Sequence, residues 1–163
     1  MKKLGTTWLA LLMLIGTTCL AARMIQAAEA DEKAVREAAA RFYVALNALF
    51  TGDLGPMTQV WSHVDDVTYM GPDGSFEVGW KKVQANWETQ AAKKLGGKVE
   101  PTEMRLMVGP EIAVVQNYEK GENTNVDGKP QVVSIRATSV FRKEEGQWKM
   151  ISHHTDLLTY LKK

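Results

Sequence analysis

Cysteine is almost missing. Cys19 is the only one in 163 residues, and it falls in an N-terminal stretch with the character of an export signal. The domain that follows therefore has neither a disulfide nor a thiolate nucleophile, and its core alone must hold it. Excess charge of either sign is missing too. A formal net charge of +1, without a basic cluster, argues against nucleic acid as the main partner. Long apolar runs are absent: the run over 8–15 is far shorter than the roughly 20 residues of a membrane-spanning helix. There is no low-complexity tract, obvious repeat or linker. Nor is there a Gly-rich phosphate loop, a Ser-centred elbow or a Cys-based motif, and no cofactor is implied.

What is present begins with Lys2 and Lys3, followed by the short apolar run and the small-x-small sequence Ala28-Glu29-Ala30 before Asp31. This is the layout of a cleavable signal peptide. Gly16-Thr17-Thr18 ahead of Cys19 is a poor match to a lipoprotein signal. Residues 1–30 are read as signal and 31–163 as one domain, periplasmic or secreted, with no membrane association after cleavage. That length suffices for a single core.

From 31 to 50, Val35, Ala38, Ala39, Phe42, Leu46 and Leu49 recur at three- and four-residue steps, the single apolar stripe of a helix. A short helix over 54–62 carries Met57, Val60 and Trp61. A small hairpin follows, with strands over 67–70 and 75–78 around Gly71-Pro72-Asp73-Gly74, a dense cluster of turn residues. A third helix over 80–95 shares one face among Trp80, Val83, Trp87 and Ala91, and Gly96-Gly97 stops it. Strands over 98–108, kinked at Pro101, and over 112–120 lead to a polar loop with Asp127-Gly128 as its turn. The last third has the strongest pattern. Val133, Ile135, Ala137, Ser139 and Phe141 alternate along one strand face, and Glu144-Glu145-Gly146 turns the chain. A second strand then places Trp148, Met150, Ser152 and His154 on one side. The class is α+β: three helices packed in a curved antiparallel sheet, a cone with a mouth.

Several motifs resemble the SnoaL-like branch of the nuclear transport factor 2-like superfamily, which includes ketosteroid isomerase. They are Arg41-Phe42-Tyr43-Val44-Ala45-Leu46-Asn47, Gly52-Asp53-Leu54, the run from Asp65-Asp66-Val67 to Asp73-Gly74, and Gly146-Gln147-Trp148-Lys149-Met150-Ile151 with His153-His154. The resemblance covers essentially all of 31–163. It implies the cone-shaped fold and a homodimer packed through the outer sheet face. In the isomerase an early-strand Asp abstracts a proton, while a Tyr and a protonated acid form an oxyanion hole. The matching stretches put Gly71 at the base, Ser139 near the acid, and Phe42 at the Tyr position with Tyr43 beside it. Steroid isomerisation is therefore not expected.

His63, His153 and His154 are the only histidines. Neighbours on a strand point to opposite faces, so a three-His zinc site is not expected and no metal is assigned. His154 shares parity with Trp148 and Met150 and is taken to face the cone as a general base; a bulge would put His153 there instead. Tyr118, on the face of Ile112, Val114 and Gln116, is taken as inward and joins it as a catalytic candidate. Phe42, Tyr43, Trp61, Tyr69, Trp87, Tyr118, Ser139 and Phe141 are candidates for binding a ligand. Phenols and the Ser hydroxyl donate to a ligand oxygen, and flat rings stack on an apolar body, although such rings also serve as ordinary core. Asp65-Asp66 reads as a capping or solvated pair. Arg136, Thr138 and Arg142 lie on the opposite face, where dimer contacts are expected.

Two functions follow. One is a homodimeric binding domain for a small, mostly apolar organic molecule, without the isomerase base. The other is a small acid–base enzyme (isomerase, cyclase, dehydratase or hydrolase) using His154 with Tyr donors. The exported chain is expected to begin at Asp31 and to form a dimer. Intact mass and light scattering check this: retained Met1 removes the export reading, and a monomer at micromolar concentration removes the dimer.

Overall fold

The computed structural model describes residues 5–125 and 127–161, with side chains from Arg23 onward. In chain order the elements are α1 (Gly5–Leu49), α2 (Gly55–Val60), β1 (Thr68–Met70), β2 (Phe76–Val78), α3 (Trp80–Ala92), β3 (Lys98–Val108), β4 (Ile112–Thr124), β5 (Pro130–Glu144), β6 (Gln147–Thr155) and a 3-10 turn, Thr159–Leu161. The helices pack in a curved, unclosed sheet of order β2-β1-β6-β5-β4-β3. Neighbours are antiparallel except β1, which runs parallel to β6 and so makes the small hairpin a continuation of the meander.

α1 lies in the concave face because its stripe is apolar. Val35, Ala38, Ala39, Phe42, Leu46 and Leu49 are all buried. The helix begins far ahead of residue 31, and Arg23 to Ala30 are all exposed. Lys2 and Lys3 lie outside the described residues. Among the described residues no helix is long and apolar enough to cross a membrane.

Two strands present the face opposite to that expected. On β6, Val140 pairs with Ser152 but Phe141 pairs with Met150, so Ile151 is an extra, unpaired residue. This bulge flips the parity after Met150: His153 turns inward at 2 % exposure and His154 turns out. On β4, the hairpin closes with Asn125 N donating to Lys129 O and Gly128 N to Asn125 O, both at 2.9 Å. A two-residue Asp127-Gly128 turn would instead pair position 126 with Lys129. The one-step difference exchanges the two faces of β4. Ala113, Val115, Asn117 and Glu119 are buried, while Tyr118 stands outside at 38 % exposure. On β3 the register breaks not at Pro101, which stays opposite Glu119, but between Thr102 and Arg105.

One side chain fastens α1 to β3. Asn47 Nδ2 donates to Val99 O at 2.9 Å, and Val99 N donates to Asn47 Oδ1 at 2.8 Å. Removing both bonds leaves the backbone N–H and C=O of a buried residue, Val99, without partners, which costs about 1–3 kcal/mol per unsatisfied group. Asn47→Ala is expected to lower unfolding free energy by about 2–4 kcal/mol in urea, and a loss below about 0.5 kcal/mol would contradict the clamp.

Candidate functional site

The inward faces of β4, β5 and β6 are mostly apolar, with Asn123 under the strap and one polar group beside α1. There Asn117, Glu119, Ser139, His153 and Thr155 are all buried. Glu119 Oε1 accepts a hydrogen bond from the Tyr43 hydroxyl at 3.2 Å, and Asn117 Nδ2 donates to that same hydroxyl at 2.8 Å. His153 Nε2 lies 3.4 Å from Glu119 Oε1. Its other ring nitrogen, Nδ1, is 2.9 Å from Ser139 Oγ. With Nε2–H directed at Glu119, Nδ1 accepts from Ser139, which holds the ring in one orientation. Phe42 packs on the same imidazole, 4.6 Å between ring centres, and Tyr69 lies nearly parallel to it at 6.1 Å. Four elements thus build one polar chain inside an apolar shell.

The environment sets the phenols. Burial, reinforced by the charge of Glu119, raises the Tyr43 pKa well above the ordinary tyrosine value. Burial does the same for Tyr69, whose hydroxyl accepts from Gln90 Nε2 at 2.9 Å. Both phenols therefore remain neutral donors at any physiological pH.

A cavity of about 40 Å³ opens beside this chain, lined by Tyr69, Trp87, Gln90, Glu119, Asn123, His153 and Thr155 together with apolar residues of α1, β3 and β5. Its mouth is crossed by the C-terminal strap, from which Leu158 and Leu161 face inward. Leu158 N donates to Pro72 O at 2.8 Å, and the Tyr160 hydroxyl donates to Asn123 Oδ1 at 2.8 Å. These bonds hold the strap over the opening.

The candidates named from sequence separate into three groups. Tyr69 and Trp87 line the cavity. Phe42, Tyr43, Trp61, Ser139 and Phe141 are buried in the core and do not line the cavity. His154 and Tyr118 stand together in a groove on the outer sheet face with Arg105 and Arg136, so the catalytic role expected of both inside the cone, and the ligand contact expected there of Tyr118, are corrected. His63 is exposed, stacked on Trp80 at 4.2 Å. Glu119 and Asn117 were not among the candidates, and His153 takes the inward place that a bulge was expected to give it. The signal for Glu119 and Asn117 was cross-strand pairing: Asn117 faces Ala137 and Glu119 faces Ile135, and directly paired residues share a face.

Residues 35–158 match a family model described as SnoaL-like domain. No curated protein matches the chain. Among solved structures, a provisionally named dehydratase of the nuclear transport factor 2-like family from Streptomyces avermitilis is 21% identical with a TM-score of 0.71, covering 81% of this chain and 99% of its own. A nuclear transport factor 2-like superfamily protein from Salmonella enterica serovar Typhimurium is 17% identical with a TM-score of 0.68, covering 80% and 94%. A relative with a cystatin-like fold from Novosphingobium aromaticivorans is 20% identical with a TM-score of 0.65, covering 87% and 90%. At these identities the likeness is one of fold.

The two raised phenols make alkaline stability a test of the site. An unfolded tyrosine ionises near pH 10, whereas Tyr43 and Tyr69 in the folded chain do so only at higher pH. Their contribution is complete below about pH 10 and is lost as pH rises above it, by about 1.4 kcal/mol per pH unit for each. Urea melts from about pH 9 to about pH 11 should show that decline, and it should be shallower in Tyr43→Phe. An unchanged slope in the variant would contradict the buried hydroxyl.

Proposed function

The chain belongs to the SnoaL-like domain family, and on that premise we propose that it binds a small, mostly apolar organic molecule in the cone and carries out acid–base chemistry on it with Glu119 and His153. The observation that carries this reading is a buried carboxylate and an imidazole lining one cavity, 3.4 Å apart. A carboxylate and a His in contact can take a proton from one carbon or oxygen of a ligand and return it to another. Tyr69, neutral and lining the same cavity, supplies a fixed donor. Ser139 does not line the cavity and orients His153 rather than attacking a substrate. A proton-shuttling elimination or isomerisation fits such groups, and the provisional dehydratase name of the Streptomyces avermitilis relative agrees with it.

We propose further that the domain is exported and homodimeric. The bare helical stretch ahead of Asp31 supports removal of residues 1–30. The outer sheet face, with Met107, Ile112, Tyr118 and Val132 exposed, supports association there. Binding without turnover is the second reading. It is favoured by the closure of the cavity under the strap, which suits retention as well as catalysis.

Mass spectrometry of small molecules released from protein purified from its native source separates these readings. The expected result is a neutral, largely apolar compound that fresh protein converts. Glu119→Gln should lower kcat by about 10²–10⁴, while His154→Ala should leave it within about twofold. Recovery of the compound unchanged after incubation would leave only the binding reading, and a polyanionic ligand would remove both.

A further inference from the structure

We infer that the indole N–H of Trp87 and the hydroxyl of Thr155 are a second set of polar contacts for the ligand of the cone, and that this ligand is an uncharged ring-sized molecule bearing a carbonyl and a hydroxyl group. The inference rests on the cone-binding reading above and extends it to the chemistry of the ligand. Trp87 Nε1 and Thr155 Oγ1 are buried and find no hydrogen-bond partner among the described residues. Both residues line the cavity that Glu119 and His153 line. Buried polar atoms in native proteins are nearly always paired, so two unpaired atoms around one cavity identify what its occupant must supply. An indole N–H can only donate, and a threonine hydroxyl can donate as readily as accept. Together they call for an acceptor oxygen, a carbonyl. On the same lining the Glu119 carboxylate offers acceptor oxygens, which call for a ligand hydroxyl.

Charge and size narrow the class. Glu119 is the one carboxylate among the described lining residues, and none of them is Lys or Arg. An anion would meet Glu119 in a low-dielectric space with no cation to offset it. A cationic ligand would find His153 already beside that carboxylate, and it could not accept from Trp87. The lining also holds Tyr69, Gln90 and Asn123, all uncharged, and is otherwise apolar, with Leu46, Leu95, Val133 and Ile135. The cavity of about 40 Å³ has room for about three waters or one small ring; anything larger requires the strap to lift.

The test uses hydroxycyclohexanone, with methylcyclohexane, cyclohexanecarboxylate and cyclohexylamine as comparisons. Each is titrated into the full domain while the tryptophan indole N–H signals are followed by ¹⁵N NMR; Trp87→Phe identifies the signal of Trp87. Hydroxycyclohexanone is expected to move that signal and to bind more tightly than the other three. Thr155→Val removes a hydroxyl that has no partner among the described residues, so the variant should melt no lower than the parent. It should nonetheless bind hydroxycyclohexanone about tenfold more weakly, with methylcyclohexane unaffected. Tighter binding of the carboxylate or the amine, or an affinity within about twofold in Thr155→Val, would overturn the inference and leave the cone-binding reading standing. If no probe perturbs Trp87 or any other cavity residue, both fall together.

Discussion

Glu119 is 4 % exposed, and a carboxylate so far from water costs several kcal/mol unless its charge is compensated and its oxygens are bonded. The compensation is spread over the fold. Tyr43 comes from α1, His153 from β6, and Ser139, which sets the imidazole, from β5. Asn117, two residues before Glu119 on β4, steadies the Tyr43 hydroxyl. No two neighbouring elements can assemble this group alone. It forms only when α1 is seated in the sheet and the three strands are in register, so the same contacts that complete the core also create its chemistry.

Seating α1 requires a bent sheet, and the bends have identifiable sources. Ile151 bulges from β6, and β3 breaks register between Thr102 and Arg105, where Glu103 takes a φ of +56°. Bulges of this kind bend a strand and increase its twist. At the wide end β3 and β4 cross so closely that a Cβ on Gly121 would lie 2.0 Å from Lys98 O, and one on Gly97, with φ +73°, 2.0 Å from Glu122 O. Only glycine fits at either crossing. Beside them, the Asn47 clamp locks α1 to the same edge.

The mouth is finished by charges on the outside. Arg136 donates from Nε and Nη2 to both oxygens of Asp156, at 2.8 and 2.9 Å. Arg136 holds the Asp156 carboxyl down at about 2. Whatever stability this adds is present above the ordinary carboxylate range and is lost only as pH falls towards 2; at so exposed a site it is small. Its effect is positional. Asp156 is the first residue after β6, where the strap begins, and the pair fixes the direction in which Leu158 and Leu161 return across the cone.

Periodicity and turn chemistry were sufficient for the fold class. The stripe from Val35 to Leu49, the turn cluster at Gly71 and the alternation from Val133 to Phe141 each depend on local spacing, and local spacing survives folding. They also identified Phe42, Trp87 and Ser139 as interior residues, because each falls on a regular helix stripe or strand alternation. Which residues of β4 and β6 enter the cone was decided by tertiary structure. Both faces of β4 carry a mixture of apolar and polar side chains, so its own pattern does not choose between Tyr118 and Glu119; the closing pair Asn125 and Lys129 does. The choice between His153 and His154 turned on one unpaired residue, Ile151, whose looping out depends on fitting β6 between β5 and β1. In a period of two, a single residue exchanges inside for outside, and only the assembled sheet determines where that residue goes.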